Sequence, residues 1–171
     1  MYIIGAKYFM FYKLNCKIDP EKFLAYEEEH RKLWFLDYGF DTLPMPQRIM
    51  EGNPLMDVVR KFRGMPVLLR MAPWRFYNFH VDTKRYCAIN SLIAGYDSNS
   101  YFGSDVYKNE KLIHELENIV PLDYQLGSCY VFNTKHRHGV VNRTETRLTL
   151  SIGFNYNSYE EVLAYCQQID L

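Results

Sequence analysis

From residue 65 onward, apolar positions recur in short runs separated by turn residues. Stretches 67–71, 76–82, 86–94, 100–102, 120–126, 128–133, 139–142 and 147–154 are rich in β-branched and aromatic residues and read as strands. Eight short strands in about 90 residues predict a jelly roll or barrel. Before them, residues 2–14 read as one or two apolar strands. Asp19-Pro20 opens a helix: Asp19 can cap free N–H groups, and Pro20 suits the first helical position. Phe23, Leu24, Leu33 and Trp34 give that helix an apolar stripe, and Gly39 marks its expected end. Residues 42–56, with Pro44, Pro46, Gly52 and Pro54, predict a loop, either a cover over a site or a surface connection. Residues 108–118 read as one helical excursion among the strands. Ser158 and Glu161 form a capping-box pattern that predicts a short terminal helix. The expected organisation is one domain over 1–171: an extension (1–64), a β core (65–155) and a terminal helix (156–171).

Composition narrows this picture. Fifteen Tyr and eleven Phe raise the aromatic content to 16%, which favours strands. Hydrophobic residues at 48% and charged residues at 23% exclude wholesale disorder. Twenty Lys and Arg balance twenty Asp and Glu, so no overall charge draws the chain to duplex nucleic acid or an anionic membrane. Arg60, Lys61, Arg63, Arg70 and Arg75 make a local basic group, read either as steering for an anionic substrate or as a charged strand edge. The four cysteines include no CxxC pair. With no signal-peptide pattern and no long apolar run, the expectation is a cytoplasmic protein with free thiols and no membrane span.

Three patterns carry chemistry. His80-Val81-Asp82 in a strand would project an imidazole and a carboxylate from one face. His136 and His138 compete to supply a third ligand, completing a two-histidine, one-carboxylate facial triad suited to non-haem Fe(II). As a pair they also fit a cupin-type HxH motif. His138 is preferred, since it adjoins the strand at 139–142 and stands nine residues before Arg147. Arg147 and Thr149 share a strand face, where a guanidinium and a hydroxyl can hold the distal carboxylate of a dicarboxylate cosubstrate. Alone, each motif also fits a plain structural role; the joint order of HxD, His and Arg-x-Thr tips the reading towards function. Asn90 and Tyr86 are candidates to reach the cosubstrate or substrate, or else cap a strand and pack in the core. Arg85 reads as pointing outward. Tyr101 and Phe102 face either the barrel mouth or its core, Ser151 follows Arg147 and Thr149 on their face, and His30 and His114 have no assigned role.

The stretch from Trp74 to Phe154 resembles the Fe(II)/2-oxoglutarate-dependent dioxygenases, in particular the aspartyl/asparaginyl β-hydroxylase-like and related amino-acid or prolyl hydroxylase branch. The matching segments are Phe79-His80-Val81-Asp82, Gly127 to Phe132-Asn133, His138-Gly139-Val140-Val141-Asn142 and Arg147-Leu148-Thr149-Leu150. The spacing from Phe132 to His138 matches the family and favours His138 over His136, while Asn133 stands where the family usually has Asp. The resemblance covers about half the chain. It implies a double-stranded β-helix, iron on His80, Asp82 and His138, 2-oxoglutarate on Arg147, and hydroxylation of a small-molecule or peptide substrate using O₂. Residues before 74 match no pattern and are expected to set substrate choice. The competing readings are a non-catalytic cupin-like metal- or ligand-binding module and an oxygenase acting on a nucleobase or other small molecule.

Overall fold

The structure, a computed structural model, describes residues 10–37, 39–96, 98–108 and 111–171. Its frame is two antiparallel sheets facing each other. The larger contains β1 (Phe11–Lys17), β2 (Phe35–Asp37), β3 (Phe40–Pro44), β4 (Met65–Met71), β6 (Cys87–Ala94), β9 (Ser128–Asn133) and β11 (Arg147–Phe154), in the order β1-β9-β6-β11-β4-β3-β2. The smaller contains β5 (Phe76–His80), β7 (Ser98–Lys108), β8 (Lys111–Leu122) and β10 (Arg137–Asn142), in the order β5-β10-β7-β8. Three α-helices, α1 (Pro20–Glu29), α2 (Met56–Phe62) and α3 (Tyr159–Gln168), complete the described chain. This is the expected mainly-β double-stranded β-helix with an N-terminal and a short C-terminal helix.

The two faces of β11 explain the layering. Every residue of β11 is buried, because both faces are covered. Leu148, Leu150, Ile152 and Phe154 pack with Phe23 of α1, Val58 and Val59 of α2, and Val162 and Cys166 of α3. Burying each large apolar side chain there contributes about 1.5–3 kcal/mol. Arg147, Thr149, Ser151 and Gly153 alternate with them and face the smaller sheet. The space between the sheets is apolar at one end, where Phe11, Ala88, Phe102, Leu122, Tyr130 and Phe132 cluster. Beyond that cluster the interior turns polar.

Several sequence expectations need correcting. The helix predicted at 108–118 is strand β8, which pairs with β7 from Lys108↔Lys111 to Ser100↔Leu122. A ready pairing edge overrides the local preference for helix. The first helix ends at Glu29 rather than near Gly39: His30 caps it through the Tyr26 and Glu27 carbonyls, and a short 3₁₀ turn follows. Gly39, at φ +90°, serves the β2–β3 hairpin instead. Within residues 42–56, Met45, Met50 and Leu55 are core residues, so the segment is packed rather than a cover. Strand β5 stops at His80, leaving Asp82 in the connection to β6. Most of the apolar stretch at 2–14 lies outside the described residues. Ser158 and Glu161 form the expected capping box. The four cysteines are free, three of them buried. Among the described residues, no helix is long and apolar enough to cross a membrane.

Candidate active site

His80 ends β5 and His138 lies in β10, and the two are register partners across an irregular pairing. Gly139 makes this possible. A Cβ there would stand 2.9 Å from the Tyr77 carbonyl oxygen and 3.3 Å from the Phe79 nitrogen, so only glycine lets β5 come this close. The imidazole centroids are 4.3 Å apart. Tyr77 packs edge-on against His80, and Phe102 stacks on His138.

Each imidazole is oriented by a backbone carbonyl. His80 Nδ1 lies 2.9 Å from Asn78 O, and His138 Nδ1 lies 2.9 Å from His136 O. A carbonyl oxygen only accepts, so both Nδ1 atoms donate to the backbone and both Nε2 atoms are turned towards Asp82. Both Nε2 atoms face one oxygen: Asp82 Oδ1 is 3.3 Å from His80 Nε2 and 3.9 Å from His138 Nε2. The three ligand atoms lie within 4.8 Å of one another. Burial, reinforced by the neighbouring His80, pulls His138 down to about 4, so it is neutral near pH 7. Burial pushes the Asp82 carboxyl up, but the His80 hydrogen bond and the Arg85 charge outweigh it and hold Asp82 below its ordinary range. Two imidazole nitrogens and one carboxylate oxygen converging on one point form a donor set that fits a divalent cation such as Fe(II).

Arg147 opens β11 and is 3% exposed. Its Nε donates to Thr149 Oγ1 at 2.9 Å and its Nη2 to Ser100 Oγ at 3.3 Å. The guanidinium lies 4.8 Å from the Tyr124 ring centre. Burial lowers the Arg147 pKa, since desolvation disfavours the charged form. Ser100 and Phe102 stand two residues apart on β7, about 7 Å along a strand. Because Ser100 holds Arg147 and Phe102 stacks on His138, the guanidinium and the histidine pair share one chamber between the sheets.

The remaining sequence candidates divide. Asn90 lies on β6 opposite Ser151 and Tyr130, and its Oδ1 is buried without a hydrogen-bond partner. Tyr86 is 49% exposed under the Lys135 ammonium, away from the chamber. Phe102 is fully buried, resolving its two readings in favour of the core. His136 contributes only its backbone carbonyl to the triad. Arg85 overturns the expectation that it points outward: it binds Asp82 Oδ2 and reaches Ser151 Oγ. Ser100 and Tyr124, beside Arg147, were not legible as site residues either. Their proximity depends on sheet packing, for which the sequence holds no spacing signal.

A cavity of about 550 Å³ opens beside the triad. Phe40, Met65, Val67, Leu69 and Tyr77 line one side; Lys84, Arg85 and Asn155 stand among its polar lining.

No protein-family model and no curated protein matches the chain. Solved structures do. HygX from Streptomyces hygroscopicus, with nickel, 2-oxoglutarate and hygromycin B bound, superposes with a TM-score of 0.61 at 12% identity, covering 93% of this chain and 90% of that one. A Pseudomonas putida prolyl-4-hydroxylase gives 0.59 at 13% identity, covering 86% and 93%. An oxidoreductase of the 2OG-Fe(II) oxygenase family from Burkholderia pseudomallei gives 0.58 at 13% identity, covering 91% and 88%. At these identities the likeness is one of fold: the chain has the double-stranded β-helix architecture of 2OG-Fe(II) oxygenases.

Proposed function

We propose that this protein is an Fe(II)- and 2-oxoglutarate-dependent dioxygenase that hydroxylates a C–H bond of an amino-acid side chain, free or within a peptide. The observation that carries the proposal is the convergence of His80 Nε2, His138 Nε2 and Asp82 Oδ1 in the chamber that also holds the Arg147 guanidinium. Iron bound by those three atoms would supply the activation of O₂, with 2-oxoglutarate, O₂ and R–H giving succinate, CO₂ and R–OH.

The chain's own residues provide the setting. Arg147 binds the distal carboxylate of 2-oxoglutarate, oriented by Thr149 and Ser100. Phe102 and Phe132 close the apolar end and exclude water. Asn90 supplies a polar group to the floor. The substrate lies in the cavity, its side chain against Phe40, Val67, Leu69 and Tyr77. Asn155, whose Oδ1 is buried without a partner, offers an acceptor to an ammonium or amide, and Lys84 offers a cation to a carboxylate. Phe40 comes from the segment before residue 74, consistent with that segment setting substrate choice.

The test supplies Fe(II), ascorbate and 2-oxoglutarate and measures succinate, with amino acids and peptides screened for the mass gain of one oxygen. Succinate formation that disappears in His138→Ala is expected. Metal binding with no consumption of 2-oxoglutarate in the presence of any candidate substrate would favour the non-catalytic module, and turnover on nucleobases alone would overturn the substrate class.

A further inference from the structure

Arg85 sits in the connection from β5 to β6, which is pinned at several points. Asp82 N–H donates to Thr134 O at 3.0 Å, and Tyr86 N–H donates to Phe154 O at 3.1 Å. Thr134 Oγ1 donates to Arg85 O at 2.8 Å, and Lys135 Nζ donates to Asp82 O at 2.9 Å. From this fixed backbone the guanidinium turns inward. Its Nε and Nη2 each stand 2.8 Å from Asp82 Oδ2, and its Nη1 donates to Ser151 Oγ at 3.3 Å. The aliphatic stem crosses Gly153, where a Cβ would lie 2.8 Å from Arg85 Cδ. The inward face of β11 thus does two jobs: Arg147 and Thr149 at one end hold a guanidinium in the chamber, while Ser151 and Gly153 at the other form a shelf for Arg85.

The two Asp82 oxygens are therefore unequal. Oδ1 faces both imidazoles, while Oδ2 is taken by a two-pronged donor. Resting on the oxygenase reading above, we propose that Arg85 is a positioning residue that restricts Asp82 to a single metal-facing oxygen and so keeps coordination positions open for cosubstrate and O₂. Three protein atoms on a six-coordinate ion leave three positions. A keto acid offering two oxygens, together with O₂, would need all three. Were Oδ2 also to bind, one of these would be lost. The chamber would still hold a metal but could no longer hold both reactants.

The experiment uses Mn(II) on the full chain, with free ion measured by its electron paramagnetic resonance and bound water by proton relaxation. Wild type is expected to bind Mn(II) with high relaxivity per bound ion, which falls when 2-oxoglutarate is added. In Arg85→Gln, Mn(II) binds at least as tightly, relaxivity per bound ion drops by about a third, and the Kd of the Mn(II) form for 2-oxoglutarate rises by about tenfold or more. Gly153→Ala, which displaces the stem but keeps the charge, shifts both readouts in the same direction by less. It also provides the answer should Arg85→Gln fail to fold. Arg85→Lys, retaining charge without the fork, restores them only in part. Unchanged relaxivity and unchanged 2-oxoglutarate affinity in both Arg85→Gln and Gly153→Ala would overturn the inference alone. So would weakened Mn(II) binding with relaxivity per bound ion retained, because Arg85 would then merely hold the connection in place. A wild-type chain that binds no Mn(II) would overturn this inference together with the oxygenase reading.

Discussion

A guanidinium held at 3% exposure has lost most of its hydration, and Thr149 and Ser100 accept hydrogen bonds from it. In the proposed function this buried Arg147 fork pairs with a carboxylate, which matches it in geometry and charge. Arg147→Gln should therefore weaken 2-oxoglutarate binding by about two orders of magnitude or more, the scale expected for losing one partner of a buried charge pair. Mn(II) affinity should stay within about twofold, because the guanidinium touches none of the three ligand atoms; isothermal titration of both ligands checks it. That His80, Asp82 and His138 would converge was legible in the sequence because metal ligation demands particular residue types in a set order. Arg85 was not, since a charged residue three positions after an aspartate usually faces solvent. Its inward turn depends on Ser151 and Gly153, more than sixty residues away on another strand.

At the scale of elements, the site depends on how closely β5 and β10 approach. Gly139→Ala places a methyl group against the Tyr77 carbonyl, backbone that cannot rotate aside as a side chain could. The edge of β5 must move outward, carrying His80 away from His138. The expected result is metal affinity about tenfold weaker, the scale seen when ligand orientation is disturbed. The accompanying loss of stability should be about 1–3 kcal/mol, read by metal titration and urea unfolding. The same close pairing explains what the sequence concealed. His80 and Asp82 were expected to share a strand face, yet Asp82 reaches the site from a connection held by Thr134, Lys135 and Arg85. Residues 108–118 read as a helical excursion; the pairing edge of β7 makes 111–118 strand instead. Gly39 reads as the end of the first helix but turns a hairpin instead, because a positive-φ glycine serves either role.

Across the whole molecule, the candidate site draws on both sheets. His80 and His138 belong to the smaller sheet, Arg147 to the larger, and the hydrogen bond from Arg147 to Ser100 of β7 already crosses between them. A metal bound to the triad anchors the β5–β6 connection to the smaller sheet. A diacid joining that metal to Arg147 would then connect both sheets, so its binding energy should appear as resistance to unfolding. Ligand at 100 times its Kd stabilises a folded chain by about 2.7 kcal/mol, which for a chain of this length corresponds to roughly 5–10 °C in Tm. Mn(II) alone should raise Tm, and 2-oxoglutarate should raise it further when Mn(II) is present but much less after chelation. The order matters because in the proposed function the diacid would need both anchors. In Arg147→Gln the Mn(II) increment should survive while the 2-oxoglutarate increment vanishes; in His138→Ala both should be lost. Calorimetry on these three chains measures the coupling directly. Equal 2-oxoglutarate increments with and without metal would mean that the diacid binds somewhere other than between Arg147 and the triad.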